Sequence, residues 1–229
     1  VVTLIYVIIE ELAKFFAETD KCRYCYECPY RHQIMPVIFR MIYMCGLRAS
    51  EARLLKITDI DLEKGTLTIN HSKKDNSRLV LMSDSLTERC RFYSKSVHFS
   101  PDPEGYYFPA LEGKPMTIGN LYHNFRRFLW RARISHRGRG KGPRIHDLRH
   151  TYAVHCLKRW SEQEKDLTVY LPILKTYMGH DSFKDTAYYL RMTADVFPDI
   201  PLNMEPHYLD LIPLLAGAYN ETYCLFEIP

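Results

Sequence analysis

The sequence predicts an α+β, mainly helical domain with one small antiparallel β-sheet. Three observations predict it. Apolar residues recur at three- and four-residue spacing in segment after segment between Ile5 and Met192. The period changes to two only between Gly65 and Met82. The longest apolar run, Val1 to Ile9, is interrupted by Thr3 and closed by Glu10 and Glu11. It is therefore far short of the roughly 20 residues a membrane-spanning helix needs, and with no basic segment before it, it does not read as a signal peptide.

The elements follow in order. Residues 4–18 carry Ile5, Ile8, Ile9, Leu12, Phe15 and Phe16 at helical spacing, with Glu10, Glu11, Lys14 and Glu18 off that stripe. A cysteine-rich turn ends at Pro29. Residues 33–45 are strongly apolar and predict a buried helix stopped by Gly46. Residues 50–56 predict another helix, and residues 59–62 a short strand. Residues 65–70 alternate with period two, residues 78–82 are rich in strand formers, and the polar residues 73–77 between them predict a β-hairpin. Helices resume over 84–97 and, after a proline-containing loop, over 117–133, with Leu121, Phe125, Phe128 and Leu129 facing inward. A Gly- and Arg-rich loop covers 135–143. Further helices are predicted over 147–160, 171–178 and 183–192. Residues 1–195 are expected to form a single catalytic domain, and residues 196–229 an acidic tail. The chain begins at Val1 and not Met, which predicts a fragment or a processed protein.

Composition excludes several classes. Apolar residues make up 46% and charged residues 25%, as in ordinary soluble globular proteins. With only 10 Gly and 13 Pro, collagen-like and low-complexity chains are excluded. The net charge of +4 divides unevenly. Asp195, Asp199, Glu205, Asp210, Glu221 and Glu227 lie after Met192 with no Lys or Arg among them, so residues 1–191 carry +10. A basic body with an acidic tail predicts a polyanionic partner. Seven Cys, an odd number and mostly scattered, without a secretion signal, predict a reduced intracellular protein.

The residues that carry chemistry fall into five groups. Between Arg126 and Arg149 there are nine basic residues and a single acid, Asp147. Arg126, Arg127, Arg131, Arg137, Arg139, Lys141 and Arg144 make up most of this cluster, which suits a phosphate backbone. Next come His146 and Arg149, three residues apart at a helix start, where a proton carrier and a two-pronged phosphate grip share one face. Third is Gly46-Leu47-Arg48-Ala49-Ser50-Glu51, with an arginine just after a glycine turn. Fourth is Lys73-Lys74 at the hairpin tip. Fifth is Met178-Gly179-His180, followed by Tyr188 and Tyr189. Each group alone has a bland reading, as a solvated loop, a capped helix end or a solubilising turn.

In this order and spacing, the five groups resemble the catalytic domain of the tyrosine recombinases, the phage-integrase family, from about Ile5 to Met192. The matching pieces are Gly-Leu-Arg-Ala-Ser-Glu at 46–51, Lys73 before Arg78-Leu79-Val80, His146-Asp147-Leu148-Arg149-His150-Thr151, Met178-Gly179-His180, and a tyrosine nine residues after that His. The resemblance implies that Arg48 and Arg149 clamp the scissile phosphate, Lys73 protonates the leaving 5′ oxygen, and His146 assists proton transfer. It further implies that His180 hydrogen-bonds a non-bridging oxygen and that Tyr189, and not Tyr188, is the nucleophile. The implied partners are double-stranded DNA and other recombinase protomers in a synaptic complex, with no membrane, in a prokaryotic cytoplasm. The function implied is cleavage and rejoining of DNA through a 3′-phosphotyrosyl link, in integration or transposition. No metal or nucleotide cofactor is required, and no P-loop or glycine-rich fingerprint is present. Met178 replaces the family's usual Leu, Asp185 stands where a Thr is common, and these residues hold no counterpart of the separate N-terminal DNA-gripping domain of full-length members.

Two alternatives use the same residues: a non-catalytic DNA-binding protein of the same fold, and a type IB topoisomerase. Cys22, Cys25, Cys28 and His32 have the spacing of four zinc ligands, but three thiols in a surface loop is the favoured reading.

Overall fold

The computed structural model describes residues 9–70, 77–99, 102–135 and 142–197. These divide into two compact units, with the boundary between Tyr152 and Ala153.

The first unit is built around α2, Arg31–Met44. Its sequence is apolar on nearly every side, and Ile34, Met35, Val37, Ile38, Phe39, Met41 and Ile42 are all buried. Helix α1, Ile9–Asp20, and helix α4, Asp84–Val97, pack against it. Phe15 of α1 meets Phe39 of α2 at 5.4 Å, and meets Phe125 and Phe128 of α5, Ile118–Arg131, at 5.2 and 6.4 Å. These edge-to-face and tilted contacts add to the roughly 1.5–3 kcal/mol that burying each ring contributes. Arg40 of α2 pairs with Asp20 at 2.6 Å and lies over the Phe16 ring, which ties the end of α1 to the middle of α2.

Helix α3, Ala49–Leu54, leads into a three-stranded antiparallel sheet in the order β1, β2, β3. The strands are Ile60–Asp61, Thr66–Ile69 and Arg78–Leu81. Leu67 faces Val80 and Ile69 faces Arg78 across the hairpin. The period-two pattern buries Leu67, Ile69 and Val80 while Leu79 and Leu81 stay exposed. Ser83 caps α4 by accepting from the Leu86 N–H, and Thr117 caps α5 by accepting from the Asn120 N–H. The inward face of α5 is Leu121, Asn124, Phe125, Phe128 and Leu129. Helix α6, Ile145–Glu162, begins in this unit and continues into the second.

In the second unit, α7, Leu167–Met178, buries Leu167, Leu171, Leu174 and Met178. Gly179 ends it in the left-handed conformation, with φ 64°. Ser182 then caps α8, Phe183–Val196, by accepting from the Lys184 N–H. Trp160 of α6 packs on Tyr170 of α7 with ring centroids 5.0 Å apart.

The expected element order is the observed one, with differences at the ends. α7 starts at Leu167 and not at Leu171. The proline at 172 argues for a boundary beside it, but Asp166 accepts from the Thr168 N–H at 2.9 Å and Leu167 is fully buried, so the helix begins four residues earlier. α1 runs on to Asp20, where Thr19 donates back to the Phe16 carbonyl and Arg40 holds Asp20. The residues expected before Ile9 in this helix lie outside the described residues. Among the described residues, no helix is long and apolar enough to cross a membrane.

Candidate active site

The first group of site residues forms where α2 hands over to α3. Gly46 has φ 61°, and a Cβ there would lie 2.6 Å from the Tyr152 ring, so both conformation and space demand glycine. Leu47 is fully buried and anchors the turn. Arg48 follows, and Glu51 sits three residues on. The Arg48 backbone N–H donates to Glu51 Oε2 at 2.8 Å, and its Nη1 donates to Oε1 at 2.8 Å. Glu51 is only 3% exposed. Arg78, the first residue of β3, donates through Nη1 and Nη2 to the two oxygens of the same carboxylate, at 3.0 and 2.7 Å. Arg149 of α6 brings a third guanidinium, its Nη1 being 3.9 Å from Glu51 Oε2. Burial alone would raise the Glu51 pKa, but the hydrogen bonds and charges of Arg78 and Arg48 outweigh it and hold the carboxyl below its ordinary range. Three guanidiniums thus converge on one buried carboxylate.

Arg149 is 1% exposed, which for an arginine requires a dedicated partner. It donates to the Gly46 carbonyl at 2.5 Å. The start of α6 positions it. Asp147, buried, accepts from the Arg144 N–H at 2.5 Å, while Ile145 and Leu148 are buried beneath the helix. Burial raises the Asp147 pKa, against the pull of Arg144. His146 is exposed on the residue scale, yet its ring is crowded. That crowding, then the charges of Arg149, Arg144 and Arg48, lowers its pKa to about 4, with Glu51 opposing. The imidazole is therefore neutral at neutral pH, and its low pKa makes it a weak base. His150 packs edge-on against His146 with centroids 4.4 Å apart.

The second unit holds the other two. His180 follows the Gly179 cap, and its Nδ1 is 2.9 Å from Thr186 Oγ1. Its ring stacks on that of Tyr189, with centroids 5.6 Å apart and planes 20° from parallel. Tyr189 is 2% exposed and Tyr188 is 48% exposed, so the adjacent phenols occupy different environments. That is what a helical step of about 100° does to neighbouring residues.

Thus Arg48, His146 and Arg149 come together in the first unit, and His180 and Tyr189 in the second. Lys73, Arg137, Arg139 and Lys141 lie outside the described residues. Of the remaining basic residues, Arg126 and Arg144 are exposed and Arg127 and Arg131 half-buried. Arg126 shares the outer face of α5 with Tyr122, His123 and an almost fully exposed Trp130. Among the described residues no cluster of three or more His, Cys, Asp or Glu is placed to hold a metal ion, and this includes Cys22, Cys25, Cys28 and His32. Glu51 and Arg78 stand in the sequence motifs, but the sequence assigns neither of them a role. The three-residue step from Arg48 to Glu51 at a helix start could have flagged the first. Nothing local could have flagged Arg78, which arrives across the sheet.

The chain is similar to known proteins over most of its length. A Sinorhizobium fredii protein described as an integrase/recombinase, y4rB, is 34% identical over 194 residues, which is 82% of this chain and 61% of y4rB. The tyrosine recombinase XerA of Pyrococcus furiosus is 30% identical over 160 residues, 69% of this chain and 50% of that protein. The chain thus spans between half and two thirds of the length of these two relatives. The XerH site-specific recombinase, solved in a post-cleavage complex with palindromic difH substrate, matches in fold with a TM-score of 0.65 at 24% identity, over 83% of this chain and 50% of that one. The sequence model of the phage integrase family matches residues 10–195, which hold every catalytic candidate named above, and the chain belongs to that family.

Proposed function

We propose that this chain is the catalytic part of a site-specific recombinase or integrase of a mobile element, acting on double-stranded DNA. The observation that carries this reading is Arg149: an arginine that the fold buries, orients through the Gly46 carbonyl and sets with Arg48 around the Glu51 carboxylate. A phosphodiester resists attack because its charge repels nucleophiles, and the pentavalent transition state carries more charge still. Arg48 and Arg149 supply the compensating field.

The Tyr189 phenol oxygen attacks phosphorus, and the bond to the 5′ oxygen breaks. The phenolic proton passes to solvent with the assistance of His146, and Lys73 gives a proton to the 5′ alkoxide. His180, its ring oriented by Thr186, donates to a non-bridging oxygen. The 3′-phosphotyrosyl bond conserves the energy of the broken bond, so a 5′ hydroxyl reverses the steps without a co-reactant. Residues 1–195 perform this chemistry. Arg126, Arg127, Arg131, Arg137, Arg139, Lys141 and Arg144 hold the duplex, and the acidic residues 196–229 serve either as a dock for a neighbouring protomer or as a cover for the chain's own basic surface. That XerH was solved with its difH substrate supports DNA as the partner.

The test is a covalent adduct on a nicked suicide duplex carrying a site recovered by binding selection from a random library. An adduct mapped to one tyrosine supports the reading. Duplex binding without an adduct identifies a non-catalytic DNA-binding protein, and plasmid relaxation without strand exchange a topoisomerase.

A further inference from the structure

Resting on the reading that Arg48 and Arg149 grip the phosphate, we propose that Arg78 is a positioning residue for that grip. It occupies the Glu51 carboxylate and so keeps the charge of Arg48 and Arg149 directed at the substrate.

The three guanidiniums do not share Glu51 equally. Arg78 takes both oxygens, at 3.0 and 2.7 Å, in the two-pronged geometry that gives arginine its strongest hold on a carboxylate. Arg48 reaches one oxygen with its side chain, at 2.8 Å. Arg149 stands at 3.9 Å, beyond hydrogen-bonding distance, and donates instead to the Gly46 carbonyl. Glu51 and Arg78 are both nearly inaccessible to water, with side-chain exposures of 1% and 9%. A carboxylate buried this deeply must be paired, and it turns to whatever cation is within reach.

The source of Arg78 fits a fixed counter-charge. Arg48 and Glu51 lie on one short helix and its cap, but Arg78 enters from the first position of β3, locked in register opposite Ile69. Without its guanidinium, the cations left beside Glu51 among the described residues are the two arginines assigned to the phosphate. Glu51 then competes with the substrate for those two guanidiniums. Arg78 thus protects the electrostatic field without touching the substrate.

The experiment measures the rate of covalent adduct formation at saturating nicked duplex, on the full chain, with a thermal melt of every variant. Arg78→Ala is expected to slow the reaction by about tenfold or more, with a much smaller change in duplex affinity, because the interaction lost acts on the transition state. Adding Glu51→Gln to Arg78→Ala is expected to recover part of the rate, since a neutral amide no longer competes for Arg48 and Arg149. Two purely structural losses would compound each other. If Arg78→Ala does not fold, Arg78→Lys, which keeps the charge but not the two-pronged hold, is compared with and without Glu51→Gln, and the same recovery is expected. A folded double variant no faster than its single parent overturns the proposal, as does an Arg78→Ala protein that cleaves at the wild-type rate. Arg48→Ala runs alongside: if it cleaves at the wild-type rate, it is the phosphate-grip reading that has failed.

Discussion

Arg149 and Gly46, 103 residues apart in sequence, are joined by a hydrogen bond from the guanidinium Nη1 to the backbone carbonyl. Gly46 holds a positive φ, so the acceptor that anchors a side chain on another helix sits in a conformation available cheaply only to glycine. Gly46→Ala combines left-handed strain of roughly 1–2 kcal/mol with a Cβ driven into the Tyr152 ring. We expect a loss of about 2–5 kcal/mol in denaturant unfolding, and loss of adduct formation with it. Gly113→Ala, with φ 71° and nothing within 4 Å of the added carbon, should cost only the strain.

Arg48→Ala and Arg149→Ala should each slow cleavage about a hundredfold or more, the loss expected for one contact to a developing charge. They should differ in stability. Arg48 is a partly exposed side chain at a helix cap, and its removal is mild. Arg149→Ala leaves the buried Gly46 carbonyl without this donor, which costs about 1–3 kcal/mol and should lower the thermal midpoint.

The adduct should map to Tyr189. Tyr189→Phe should bind duplex and form no adduct, whereas Tyr188→Phe should retain the reaction. Peptide mass mapping that places DNA on Tyr188 would reverse the assignment.

His146 should titrate well below the ordinary value of 6.5. At pH 7 it is neutral in both the folded and unfolded chain. As pH falls from about 6.5 toward 4 the unfolded state binds the proton and the folded state does not, so stability declines across that window and levels off below it. His146→Gln should flatten this slope in melts recorded from pH 7 to 4. Arg144→Ala, which removes a neighbouring charge, should raise the pKa seen by NMR titration of the His146 ring.

Burial raises the Cys45 and Cys90 thiols, Cys90 to about 11, so neither forms thiolate at neutral pH. Iodoacetamide should modify the half-exposed Cys22, Cys25 and Cys28 in the native protein and reach Cys45 and Cys90 only in denaturant, as read by peptide mass.

Helical periodicity made the architecture legible, because each helix buries one stripe. The inward face of α5 could be read residue by residue from Leu121, Phe125, Phe128 and Leu129. Helix ends were harder. At α7 a capping aspartate competed with a proline, and the proline is the louder signal in sequence. Within the candidate site, Arg48, His146, Arg149, His180 and Tyr189 could be singled out as candidates because each belongs to a local motif. The control of their charge was not, because it depends on Arg78, which meets Glu51 only when β3 is laid beside α3. Side-chain spacing along the chain encodes which residues share a face; it does not encode which counter-ion arrives from another element.

The two caps around His180 have a consequence for how this segment tolerates change in length. Gly179 closes α7, Ser182 opens α8, and the angular position of each later residue is counted from that opening. One residue inserted between Ser182 and Tyr188 advances the rest of α8 by about 100°. The phenol of Tyr188 then falls where that of Tyr189 now stacks on His180. The doublet gives the helix a spare: a shift of one that would leave most sequences with no hydroxyl at the stacking position leaves this one with a tyrosine in place.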